Sequence, residues 1–260
     1  NGRRFYCTVD GGKTWKALGD RGWLAMPGGT PADPQASSAM DAQGNILFVG
    51  TYGPCVYHTC PALDSLYFRE LVITNDGWVP SPFYVIHSET RSCASGRRMV
   101  VLPSGRIWMA YRVHNRRVPG ARRGKWGGIH AVYSDDGGRT WRGAGVRGKL
   151  TGTLADTFVG GQDASEWPGL AWRRFCDPLS LTPYGAHVAV TWNENRRPMR
   201  GMYWSYFDGL AWSAPAKIES KFASFSSHPP KDKRYSTVTL DGNHIFISTD
   251  KGVIVWDGQK

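Results

Sequence analysis

Arginine dominates the residues of this chain that could do chemistry. Arg112, Arg116, Arg117, Arg122 and Arg123 crowd one stretch, and Arg196, Arg197 and Arg200 crowd a second. A guanidinium is a permanently charged planar fork that takes a carboxylate bidentately. Clusters of this kind predict an anionic ligand, and the net charge of +11 points the same way. His114 lies inside the first cluster, in Arg112-Val113-His114-Asn115-Arg116. Surrounding positive charge lowers an imidazole pKa and suits it to act as a neutral base. No nucleic-acid recognition motif accompanies the basic residues. The basic stretches thus point to an anionic ligand, an acidic or sulfated glycan or polysaccharide or an anionic lipid, ahead of nucleic acid.

These side chains must be positioned by strands. Thr8-Val9-Asp10-Gly11-Gly12-Lys13-Thr14-Trp15 and Ser134-Asp135-Asp136-Gly137-Gly138-Arg139-Thr140-Trp141 share the pattern [ST]-x-D-x-G-x-T-W. Hydroxyl and carboxylate can fold back onto turn amides, the glycines permit positive φ, and the Trp can close the turn onto an apolar layer. Ser205 to Trp212 keeps Ser, Gly and Trp at the same offsets, with its Asp displaced by one. Thr74-Asn75-Asp76-Gly77-Trp78 reads as a poorer relic. Segments 38–49, 99–111, 179–192 and 235–248 each read as two strands joined by a Gly-containing turn. Four-stranded blades are the natural unit of such a repeat. The run from Gly143 to Glu166 shows little strand pattern and is expected to be a loop over one face.

Composition agrees. The chain has 260 residues, 32 Gly and 12 Trp, enough for many short strands with tight turns and wide aromatic packing. No segment is long and apolar enough to predict a membrane span. The opening Asn1-Gly2-Arg3-Arg4-Phe5-Tyr6-Cys7 reads as the middle of a strand, which predicts a fragment or a processed product. Cys55 and Cys60 are close enough to staple a hairpin, and Cys7, Cys93 and Cys176 stand apart. No Cys-x-x-Cys or Cys/His metal spacing occurs, so no metal and no cofactor is expected.

The octets resemble the Asp box of the BNR repeat families, β-propellers that include sialidases, other glycan-active enzymes and non-catalytic binding proteins. The resemblance implies an all-β fold: a single propeller over residues 1–260, built of four-stranded antiparallel blades with Asp-box hairpins. Sialidase-type rings have six blades, so the ring would be incomplete here; a blade shared between the termini is the other arrangement. A secreted or cell-surface setting goes with it. In sialidases, arginines from several blades converge on the substrate carboxylate. By position the resemblance assigns that role to Arg98, Arg112, Arg174 and Arg196, although the family's Phe-Arg-Ile-Pro segment is absent around Arg98. Arg234-Tyr235-Ser236 resembles the segment carrying the sialidase nucleophile, implying Tyr235 as nucleophile and Glu194, ahead of Glu166, as the carboxylate assisting it. No residue matches the general acid. Some propeller polysaccharide lyases instead abstract a proton beside a uronate carboxylate with a His and a Tyr; His114 or His130 would fill that part. A propeller that binds glycan or protein without catalysis is the third expectation.

Overall fold

The computed structural model describes residues 6–8, 10–17, 37–52, 65–74, 77–88, 92–115, 128–143, 158–160, 176–194, 201–218, 236–239, 245–249 and 252–256. All regular elements among them are strands. A short hairpin, β1 (Tyr6–Cys7) and β2 (Lys16–Ala17), carries the first octet. The next sheet runs β3 (Ser37–Met40), β4 (Ile46–Tyr52), β5 (Ser65–Thr74) and β6 (Gly77–Pro80), with β7 (Tyr84–Ser88) also paired to β5. Then come β8 (Ser92–Val101), β9 (Ile107–Asn115), β10 (Gly128–Ser134) and β11 (Arg142–Gly143), with β12 (Phe158–Gly160) also paired to β10. A four-stranded sheet follows: β13 (Cys176–Tyr184), β14 (His187–Glu194), β15 (Gly201–Tyr206) and β16 (Ala216–Ile218). The last is β17 (Ser236–Thr239), β18 (Ile245–Thr249) and β19 (Gly252–Trp256).

Every pairing among the described residues is antiparallel, and apart from β7 on β5 and β12 on β10 the strands of each sheet pair in chain order. The first strands of successive sheets touch: β3 meets β8, β8 meets β13, and β13 meets β17. That contact order is blade geometry, with first strands innermost. The four strand–turn–strand segments read from sequence are β3–β4, β8–β9, β13–β14 and β17–β18.

The alternation of β9 shows why the sheets stack. Ile107, Met109 and Tyr111 enter an apolar layer with Leu47, Val49 and Phe68 of the preceding sheet. Trp108 and Ala110 enter the opposite layer with Val188, Val190 and Trp192 of the following one. A strand buried on both faces is apolar throughout, while its period of two decides which neighbour each side chain meets.

Two expectations need correction. The 143–166 run contains β12, a strand too short for its period to be read. Thr74-Asn75-Asp76-Gly77-Trp78 is not a box: Thr74 pairs with Gly77, leaving only two residues to connect β5 to β6. The box turns at 8–15 and 134–141 instead place three residues between the hydroxyl residue and the second glycine that bonds to it.

The octet at 205–212 has exchanged its polar clamp for packing. Phe207 stands at the Asp position, is 3% exposed, and bridges to Trp212. Asp208, one place on, still accepts from the amides of Leu210 and Ala211, both at 2.9 Å. Gly138 shows how tightly a box meets the next sheet. Its φ is +86°, and a Cβ there would lie 2.1 Å from the ring of buried Phe68. Gly138→Ala is therefore expected to cost about 2–4 kcal/mol, joining left-handed strain to overpacking. Gly105→Ala, at φ +84° with open space around it, carries the backbone term alone and should cost about 1–2 kcal/mol. Urea unfolding of the two variants checks the difference; equal losses would refute the packing term.

Candidate functional site

The blades have two ends. At one lie the tight turns and boxes: Val101 pairs with Ile107, which pairs with Ser134, the first residue of the second octet. At the other, Ser92 pairs with Asn115, and Cys176 with Glu194, which pairs with Gly201. Ser236, opposite Ser248 at the start of β17, belongs to that second end too. The strand ends on either side of the two arginine-rich stretches, Asn115 with Gly128 and Glu194 with Gly201, lie at the second end, while the residues between them fall outside those described. The first strands of adjacent sheets also begin there.

The box end is built for rigidity. Ser134 Oγ donates to Asp136 Oδ1 (2.7 Å) and accepts from the Gly138 amide (2.8 Å). Asp136 also accepts from the Thr140 amide (2.8 Å), and Trp141 Nε1 donates to the Gly138 carbonyl (2.9 Å). The ring of Trp141 then packs on Phe68 of the neighbouring sheet, 5.4 Å between centroids. Thr8, Asp10, Gly12, Thr14 and Trp15 repeat the same bonds. Arg106 pairs with Asp135 (2.6 and 3.1 Å) and lies over Tyr133 at 4.6 Å, tying the β8–β9 turn to the box. Asp135, Asp136 and Asp10 thus act as turn clamps.

The Thr140 hydroxyl, then its amide, hold the Asp136 carboxyl at about 2, below the ordinary 3.8. Thr14 does the same for Asp10, also about 2. A carboxyl depressed in the folded state stabilises fully above the unfolded pKa, and that contribution fades as pH falls from about 4 toward 2. Asp136 is solvent-accessible, so screening limits its share to about 1 kcal/mol. Thermal melts should show the loss in that window, and Asp136→Asn should flatten it. An unchanged slope in the variant would count against the clamp.

The residues singled out for chemistry divide into groups. Tyr235, Arg174, Arg196 and Glu166 lie outside the described residues. Tyr235 immediately precedes β17, and Arg174 comes just before β13. Glu194 ends β14, while Arg112 and His114 lie near the end of β9. Arg98 sits lower on β8, opposite Ala110, and is exposed; its Nη1 donates to the Arg97 carbonyl at 2.8 Å. Arg97, two residues before Met99, shares by alternation the face of Met99 and Val101 and is 1% exposed, while a bulge between Ser95 and Arg98 adds one residue to β8. Two adjacent arginines carry no sign of which one faces inward until the strand register is known. His130 is fully buried and stacks on Tyr111, its register partner, at 5.8 Å. By the period of β8–β10, Arg97, Tyr111 and His130 share the face toward the β3–β7 sheet. Among the described side chains, no three His, Cys, Asp or Glu residues gather as a metal site.

Comparison with known proteins agrees with this geometry. Residues 132–142 match the BNR/Asp-box repeat model. No curated protein matches the chain. A protein of unknown function from Dyadobacter fermentans DSM 18053 aligns over 97% of this chain and 62% of its own, with 14% identity and a TM-score of 0.54. The Hadza microbial sialidase Hz136 aligns over 86% of this chain and 44% of its own, at 8% identity and TM-score 0.52. A PL25 ulvan lyase aligns over 93% and 54% of the two chains, at 14% identity and TM-score 0.53. The chain thus spans less than two thirds of each of these structures, and the likeness is one of fold. What the turns and sheets show together is a chain carrying a BNR/Asp-box repeat in a sialidase-like β-propeller fold.

Proposed function

We propose that this protein acts on acidic glycans as a sialidase-like glycoside hydrolase, at the blade end opposite the boxes. The observation that carries this reading is topological. The described strand ends on either side of both arginine-rich stretches, the end of β14 with Glu194, and the start of β17 lie at one end of adjacent sheets, and Tyr235 directly precedes β17 in the sequence. Arg112, Arg174 and Arg196, with Arg98 lower on β8, supply guanidinium forks for a sugar carboxylate. Tyr235 attacks the anomeric carbon while Glu194 takes the phenolic proton. The bond to the aglycone breaks and its oxygen takes a proton from solvent; water then displaces the tyrosine at the anomeric carbon, losing a proton to solvent while Glu194 returns the phenolic proton. The structures aligned by fold include a sialidase and a polysaccharide lyase, which supports a glycan partner without choosing the reaction. The reading places the protein outside the cell or on its surface.

A uronate lyase is the second reading, because Arg112 and His114 occupy alternate positions, hence one face, near the end of β9. His130, stacked and buried on the opposite face, fits that part less well.

Incubation with sialylated oligosaccharides and with uronate polysaccharides decides between the readings. Release of free sialic acid is the expected result. An unsaturated, ultraviolet-absorbing product would replace hydrolysis by elimination. Retention on a glycan array with no product from either substrate would make the protein a binding module.

A further inference from the structure

We propose that the outer edge of β19 is a self-association surface, on which a second copy of this chain adds its own β19 antiparallel. The sheets differ in how their outer edges end. β6 closes on Pro80, β11 is only Arg142–Gly143, and β16 has exposed Lys217 at its centre. Proline, brevity and lysine are the features that keep an edge strand from pairing with another chain. The first strands β3, β8, β13 and β17 are shielded in another way, by standing against one another. The last sheet carries none of these features at its outer edge. Among the described residues it runs β17-β18-β19, so β19 pairs on one side only. It reads Gly252-Val253-Ile254-Val255-Trp256, a run without charge or proline and rich in β-branched residues. Val255 is 55% exposed. An uncharged edge of this kind is a template for another strand.

Register identifies the groups the edge offers. Thr249 pairs with Gly252 across a two-residue connection, and such a closing pair exchanges both of its hydrogen bonds. Bonded and non-bonded positions then alternate. Gly252, Ile254 and Trp256 bond to β18, while the N–H and C=O of Val253 and Val255 point away from it. A twofold axis at Ile254 sets Val253 of each copy opposite Val255 of the other. Each of these pairs exchanges both of its N–H···O=C bonds, which satisfies every outward group of Val253 and Val255. Both edges are consumed, so assembly closes at the dimer. The interface is small and therefore weak, and the +11 charge of each copy opposes it. The proposal stands independently of the glycan reading.

Sedimentation velocity of the native protein, over a wide concentration range and at low and high salt, tests the surface. A reversible monomer–dimer equilibrium is expected, shifted toward dimer by salt as the like charges are screened. Hydrogen exchange of the β19 amides should slow as concentration rises. Val255→Pro removes one outward N–H from each copy and leaves the β18 ladder intact. Half of the bonds between copies are then lost, and the dimer dissociation constant should rise about tenfold or more. Should that variant fail to fold, Val255→Lys keeps every backbone bond, adds a charge at an exposed position, and should weaken the dimer as well. A protein monomeric at every concentration, a dimer of unchanged strength in the variants, or an open series of oligomers would each overturn the proposal. So would β19 amides equally protected at all concentrations, because a strand of the same chain would then occupy the edge.

Discussion

Tyr235→Phe should reduce turnover of a sialoside by about a thousandfold or more while leaving the folded state and substrate binding almost unchanged. The substitution removes only the phenolic oxygen, which under the proposed mechanism forms the bond to the anomeric carbon. Losing a nucleophile removes an interaction made in the transition state, so the loss falls on kcat rather than KM. Tyrosine suits this substrate class because a neutral phenol can approach a sugar that already carries a carboxylate, where a carboxylate nucleophile would be repelled. It directly precedes β17, whose start lies at the same blade end as the end of β14 with Glu194. Steady-state kinetics on a sialoside, with circular dichroism to verify the fold, makes the measurement. Unchanged turnover would remove Tyr235 from the mechanism and leave the binding reading in front.

Trp108→Ala should give the largest loss of stability, about 3–5 kcal/mol. Trp108 is fully buried on β9, yet its ring reaches the neighbouring sheet. Its centroid lies 4.8 Å from Phe207 and 5.5 Å from Trp212, both in the 205–212 octet, and 4.9 Å from Tyr133 on β10. Truncation would leave a cavity bounded by two separate sheets, which cannot close it without shifting against each other. Urea unfolding read by far-ultraviolet circular dichroism tests this, because the removed indole is itself a fluorophore. Trp108→Phe should recover part of the loss. A cost below about 1 kcal/mol would mean that the sheets do not depend on this cluster for their packing.

That cluster also explains why the 205–212 octet departs from the pattern. With Phe207 in the Asp position, its turn is held by burial against Trp108, where the octets at 8–15 and 134–141 are held by a hydroxyl and a carboxylate. Ser205 accordingly turns elsewhere, donating to the Ser213 carbonyl at 2.8 Å. One turn shape is reached by two kinds of chemistry.

The sequence by itself determined the all-β fold, the strand–turn–strand units and the capped turns, because these depend on local periodicity and on hydrogen bonds closed within a few residues. Thr8 to Asp10 and Ser134 to Asp136 are such bonds, and the residue types announce them. The arginine clusters were equally plain in composition. Only the tertiary structure decided which residues meet across blades. The register of β8 on β9 turned Arg97, not Arg98, toward the preceding sheet, and the stacking of β9 buried His130 against Tyr111. These outcomes rest on pairings between distant segments and on which sheet face meets which neighbour. A one-residue shift reverses every such assignment while leaving composition, spacing and local propensity as they were.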